Sequence, residues 1–157
     1  MPVQAPVLKR YGVGDYDIRP WGEYLVTAVQ LNEKSEGFIE KRIIIRSGRI
    51  ISLQSHTYRR EVWTINQGSL IVILNEKRHE LKAGDRLEIP MGAIHCAANM
   101  GLADCVLHER QEGQCFEGDI MRHMDAYGRE VETPPRANAL ESIVLFNGTL
   151  AQMRRRS

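Results

Sequence analysis

Between Gly48 and Gly68 the chain reads GRIISLQSHTYRREVWTINQG, and an amide, an imidazole and a carboxylate fall within it at short spacing. In an extended strand successive side chains alternate faces, so Ser52, Gln54, His56 and Tyr58 share one side and Leu53, Ser55 and Thr57 the other. Gln54 and His56 therefore look into one space. A turn over 58–60 returns the chain, so that Glu61 can meet them, with Trp63 and Ile65 following on its face. An amide oxygen, an imidazole and a carboxylate make a metal-binding set short of one ligand, and His95, in MGAIHCAANMG, is the candidate for the fourth. Two neutral imidazoles, one carboxylate and one amide oxygen suit Zn2+ best and also accommodate manganese, nickel or iron(II). The alternative is a dry polar cavity whose buried groups must all be satisfied by one another. Tyr58, on the ligand face, is placed to hydrogen-bond a metal-bound water or a substrate oxygen, or simply to line the wall.

The surrounding segments must hold these residues in place, and their pattern is β. Residues 24–31 and 38–46 are rich in β-branched residues and alternate in polarity. In the second of these, Lys41 shares a face with Ile39, Ile43 and Ile45, as an inward charge or one that snorkels out at a strand end. SLIVILN, HELKAG and DRLEIP follow at short intervals, with turn signals every eight to twelve residues, as in an all-β sandwich or barrel. In ADCVLHER the inward set is Cys105, Leu107 and Glu109, which brings Glu109 to the barrel mouth. RPWGEY forces a turn around Trp21, read as a plug on one end of the core in preference to a ligand contact. Residues 1–18, with Pro2, Pro6, Gly12 and Gly14, read as an irregular arm; 19–129 form the single barrel domain; 130–157 are a C-terminal extension with a short helix or added strand and a disordered RRRS end. Asp119, Asp125, Arg122 and Arg129 sit in a turn-rich stretch, as a surface ion-pair cluster or as part of the site.

Composition sets the limits. With 157 residues, 43% of them apolar, the chain can bury one core but hardly two. A net charge of +1 gives no reason to expect nucleic acid. Three widely spaced cysteines indicate neither a disulfide framework nor a thiolate metal site, and no apolar run approaches a bilayer span, so a reduced, cytoplasmic location without membrane attachment is expected.

The spacing is also that of a known superfamily. Five residues separate Gly48 from Gln54, one Gln54 from His56, four His56 from Glu61 and six Glu61 from Gly68; Gly84, Pro90, Gly92, His95 and Asn99 follow in a second ordered series. The two series resemble the signature motifs of the cupins, double-stranded β-helix or jelly-roll barrels, with Gln54 where the first histidine commonly stands. More narrowly, RPWGEY, KRI at Lys41–Ile43, SLQSH, RxExW at Arg59–Trp63, IPxGxxH at Ile89–His95, ExQxG at Glu109–Gly113 and DIxRxxDxYGR at Asp119–Arg129 resemble the type II mannose-6-phosphate isomerase domain, often fused behind a mannose-1-phosphate guanylyltransferase. Tyr58 and Val62 stand where that family usually carries histidine, and no glycine-rich nucleotidyltransferase loop is present, so the chain reads as a freestanding cupin. The resemblance implies an aldose–ketose isomerase of mannose 6-phosphate and fructose 6-phosphate. A divalent ion on Gln54, His56, Glu61 and His95 would stabilise an enediolate. Glu109 and Lys41 are the candidates for the proton-carrying base. The phosphate would fall to Arg59, first choice because it adjoins the ligand turn, with Lys41, Arg122 and Arg129. Two alternatives stand beside it: a noncatalytic metal- and sugar-binding cupin, and another small-molecule cupin enzyme such as an oxygenase. Exposed sheet edges in such barrels favour a homodimer.

Overall fold

A computed structural model describes residues 10–156. Eleven strands precede one helix: β1 Tyr16–Arg19, β2 Gly22–Leu31, β3 Glu36–Ile45, β4 Leu53–Ser55, β5 Arg59–Gln67, β6 Ser69–Leu74, β7 Lys77–Lys82, β8 Arg86–Ile89, β9 His95–Ala98, β10 Cys105–Gln114, β11 Met121–Met124 and α1 Leu140–Arg156. They form a six-stranded sheet in the order β1-β2-β3-β10-β5-β8 and a five-stranded sheet in the order β11-β4-β9-β6-β7. Every pairing is antiparallel. This is the expected all-β, single-domain cupin barrel.

Alternation decides what lies between the sheets. On β3, Ile39, Lys41, Ile43 and Ile45 are buried, and on β10 Cys105, Leu107, Glu109 and Gln111, while Arg42, His108 and Arg110 turn outward. Trp63 and Ile65 on β5, with Leu53, Leu70, Val72 and Ala97 from the facing sheet, join the same apolar cluster. At Gly113 the strands approach too closely for a side chain: a Cβ there would lie 2.5 Å from the Tyr58 carbonyl oxygen, at φ +125.

Both ends of the chain differ from expectation. The N-terminal arm is irregular only in part, because β1 pairs with β2 and the Tyr11 side chain is buried in the core; residues 1–9 lie outside the described residues. The C-terminal segment resolves to helix rather than strand, and continues through the arginine run to Arg156. Ser142, Phe146, Thr149 and Met153 form its buried face, at helical spacing. Glu141 in the first turn and Arg154–Arg156 in the last complement the helix dipole, which explains why the basic end stays helical. Among the described residues no helix is long and apolar enough to cross a membrane.

Candidate metal centre and adjoining cavity

His56 lies just beyond β4, Glu61 on β5 and His95 on β9, so the two sheets contribute to one point in the interior. The three are 3%, 1% and 0% exposed, and one donor atom from each lies within 4.8 Å of the others. The ring orientations are fixed from outside. His56 Nδ1 meets the Asp119 carbonyl oxygen at 2.6 Å, and His95 Nδ1 meets that of Ala93 at 3.0 Å. A carbonyl only accepts, so each Nδ1 carries the hydrogen, and the Nε2 of each ring is turned inward.

Those nitrogens face a carboxylate. His56 Nε2 is 3.6 Å from Glu61 Oε2, and His95 Nε2 is 3.4 Å from Glu61 Oε1. Glu61 Oε1 and His95 Nε2 are fully buried without any hydrogen-bond partner. Burial opposes ionisation of Glu61, but His56 and then Arg59 outweigh it and hold the carboxyl well below the usual range. His56 is itself pushed down to about 3, chiefly by burial, so at neutral pH it is uncharged and Arg59 is the charge that holds Glu61 ionised. His56 Nε2 has N–H groups of Gln54 and Arg59 at 3.4 and 3.5 Å, but Glu61 Oε1 and His95 Nε2 converge on an enclosed point with no donor supplied to either, an arrangement that fits a cation.

Gln54 is the cross-strand partner of His95 and shares its face. Its amide nitrogen lies 3.4 Å from His56 Nε2, and its oxygen takes the Ser52 hydroxyl at 2.7 Å. A half-turn of the amide exchanges the two, since a hydroxyl can both donate and accept, so Gln54 can also offer oxygen to the centre. Arg59 is buried and committed: it donates to Glu61 Oε2 at 3.1 Å and to the Phe116 carbonyl at 3.3 Å.

A cavity of about 480 Å³ opens beside this cluster. Lys41 and Glu109, cross-strand partners, line it. Lys41 Nζ sits 4.3 Å from the Tyr11 ring centroid and 4.2 Å from that of Tyr24, and donates to Tyr11 Oη at 3.2 Å. Burial, only partly offset by Glu109, brings its pKa down to about 8. Glu109 is shifted up by burial and by Glu61, and its two oxygens accept from Trp63 Nε1 at 3.0 Å and Gln111 Nε2 at 2.8 Å. Glu109 therefore stands in the cavity wall, deeper than the mouth. Arg122 and Arg129 line the same cavity, and so does Trp21, half-buried, in place of a simple core plug.

Tyr58 departs from expectation. Strand β4 ends at Ser55, the alternation breaks in the turn, and the side chain is 51% exposed against Phe116 rather than directed at the cavity. Asp119 departs in the other direction. It is buried, and its carboxylate accepts from the amides of Thr57 and Tyr58 at 2.8 and 2.9 Å. Tyr11, Arg19 and Gln111 also serve the site without having been singled out. Continuing the Cys105–Leu107–Glu109 alternation by two residues would have reached Gln111, whereas nothing periodic marks Tyr11.

Residues 12–125 match the family described as mannose-6-phosphate isomerase C-terminal. The chain belongs to that family. Among its curated relatives, the mannose-1-phosphate guanylyltransferase ManC of Salmonella typhimurium is 34% identical over 112 residues, 71% of this chain and 22% of its own. The alginate biosynthesis protein AlgA of Pseudomonas aeruginosa is 34% identical over 115 residues, 73% of this chain and 23% of its own. The chain thus spans about a fifth of the length of these relatives. Solved structures agree on the fold: the capsular polysaccharide assembling protein CapF from Staphylococcus aureus superposes with a TM-score of 0.59 at 14% identity, covering 68% of this chain and 33% of that one. Oxalate decarboxylase from Lactobacillus farciminis gives 0.58 at 17%, covering 69% and 33%. The isomerase expectation is corrected by these names. Relatives such as ManC are named guanylyltransferases, matched only over their cupin portion, and interconversion of mannose 6-phosphate and fructose 6-phosphate is not retained.

Proposed function

We propose that the barrel binds a divalent metal ion, zinc by its donor chemistry, on His56, Glu61 and His95 with Gln54 as fourth ligand, and holds a phosphorylated sugar of the mannose class in the cavity beside it. The observation that carries this is the pair of inward Nε2 atoms set against the buried, ionised Glu61 carboxylate. Mannose 1-phosphate is the substrate in the relatives' names, and the cavity volume suits a hexose phosphate. When bound, the ion supplies Lewis acidity toward sugar oxygens.

The chain's own residues do the rest. Arg59 keeps Glu61 charged and in place. Lys41, with a pKa of about 8, exists in both protonation states near neutrality and can give or take a proton at the sugar, with Glu109 as its partner across the strands. Trp63 and Gln111 fix the Glu109 carboxylate, and Trp21, Ile43 and Leu107 exclude water from that wall. A homodimer formed at an uncovered sheet edge and a cytoplasmic location accompany this reading.

Calorimetric titration of mannose 1-phosphate and of mannose into zinc-loaded and zinc-stripped protein tests it. The phosphorylated sugar is expected to bind the loaded protein at least tenfold more tightly than the stripped protein. Equal affinity for the two forms, or no binding to either, overturns the proposal.

A further inference from the structure

Three guanidiniums border the cavity: Arg19 at the end of β1, the edge of the six-stranded sheet, Arg122 on β11, the edge of the five-stranded sheet, and Arg129 in the segment after it. Arg122 is the cross-strand partner of Gln54, so its side chain leaves the sheet on the same face as the metal candidates. Arg129 is anchored by Asp125, to which it donates from Nε at 3.1 Å and Nη2 at 2.8 Å, and Arg19 meets Asp17 at 2.9 Å. Arg122 has no such partner. Among the described residues no carboxylate lies within ion-pair distance of it, and its Nε is buried without a hydrogen bond.

Like charges crowd it as well. Burial first, then the charges of Arg129 and Arg19, push Arg122 below its ordinary pKa, and Asp125 only partly offsets them. The cavity lining holds five cations, Arg19, Lys41, Arg59, Arg122 and Arg129, of which Arg59, Arg129 and Arg19 are paired with Glu61, Asp125 and Asp17, and the carboxylates of Glu109 and Glu117. Glu117 accepts from the Tyr24 hydroxyl at 3.0 Å. A half-buried guanidinium whose Nε has no partner, beside two others, lacks an anion, and the planar fork of arginine matches the oxygens of a phosphate.

We propose that Arg19, Arg122 and Arg129 form a receptor for a phosphate group where the β1 and β11 edges border the cavity. It rests on the reading above for the sugar portion of the ligand, not for the anion. The receptor orients that ligand, with its phosphate toward the β1 and β11 edges.

Inorganic phosphate titrated into the zinc-stripped 157-residue chain, at constant ionic strength, isolates the receptor from the metal. The parent is expected to saturate, Arg122→Gln to bind at least tenfold more weakly, and Arg19→Gln several-fold more weakly. Arg86→Gln, on exposed β8, should match the parent. Should Arg122→Gln fail to fold, Arg122→Lys keeps the charge while losing the fork and should still weaken phosphate binding. No saturation by the parent, or equal affinity in parent and Arg122 variants, overturns the receptor. Zinc titration of the same proteins separates the two proposals. Unchanged zinc affinity in Arg122→Gln alongside lost phosphate binding supports the receptor, whereas absent zinc binding with intact phosphate binding overturns only the metal reading.

Discussion

Asp119 offers the sharpest perturbation, because one residue serves both the turn and the metal candidate. Its carboxylate takes the amide hydrogens of Thr57 and Tyr58 at 2.8 and 2.9 Å, while its backbone carbonyl holds His56 Nδ1 at 2.6 Å. A hydrogen bond to a charged group contributes about 1.5–3 kcal/mol. Thr57 and Tyr58 are exposed, so water can partly replace the lost partner and the lower figure applies to each. Asp119→Ala should then destabilise the protein by about 3 kcal/mol, a large part of an ordinary domain's stability of about 5–15 kcal/mol. Asp119→Asn retains one acceptor and should cost about half as much. The turn also sets where the Asp119 carbonyl meets His56, so zinc affinity should fall by about 10–100-fold in the alanine variant, as for other outer partners of ligating histidines. Urea denaturation and zinc titration read the two effects, with Tyr58→Ala as the control that leaves zinc affinity alone. The reasoning is refuted if Asp119→Ala stays within about 0.5 kcal/mol of the parent and binds zinc as tightly.

Other expectations follow from the same contacts. Metal-free protein should lose stability as pH falls from about 6.5 toward 3: the unfolded chain protonates His56 near 6.5, the folded chain only near 3, and Glu61, also depressed, adds loss below its ordinary range. The slope should approach 1.4 kcal/mol per pH unit, and a urea midpoint at pH 5 equal to that at pH 7.5 would contradict it. Phe146→Ala, on the fully buried face of α1, should cost about 3–5 kcal/mol yet leave zinc affinity unchanged, which thermal melts and titration can check. Trp63→Phe removes the donor to Glu109 Oε1 and should destabilise by about 1–3 kcal/mol; Glu109→Gln should be milder in that background than in the parent, as a double-mutant cycle would reveal.

Strand periodicity carried most of the barrel, because burial between two sheets imposes a period of two wherever a strand is regular. It placed Leu107 and Glu109 inward, put Lys41 on the face of Ile39 and Ile43 while leaving open whether its charge stayed inside, and brought Gln54, His56, Glu61 and His95 to one space. It failed where the backbone leaves the strand. Tyr58, on the ligand face by alternation, lies beyond the end of β4 and turns to solvent. Asp119 and Tyr11 sit in irregular segments whose contacts come from chain distant in sequence, and no local pattern encodes them. The C-terminal helix was ambiguous because Leu140 and Val144 are exposed, which blurs its apolar stripe. The chemical outcome was the least legible part: the motifs identified the barrel, and the relatives' names removed the reaction that had been attached to it.

Zinc titration into metal-stripped protein by calorimetry, run in parallel on the parent, Glu61→Ala and His95→Ala, bears most directly on the centre. One ion per parent chain, with binding abolished in both variants and their fold retained by circular dichroism, is the predicted result. A parent chain that takes up no divalent ion, or variants that bind it as the parent does, would contradict the account.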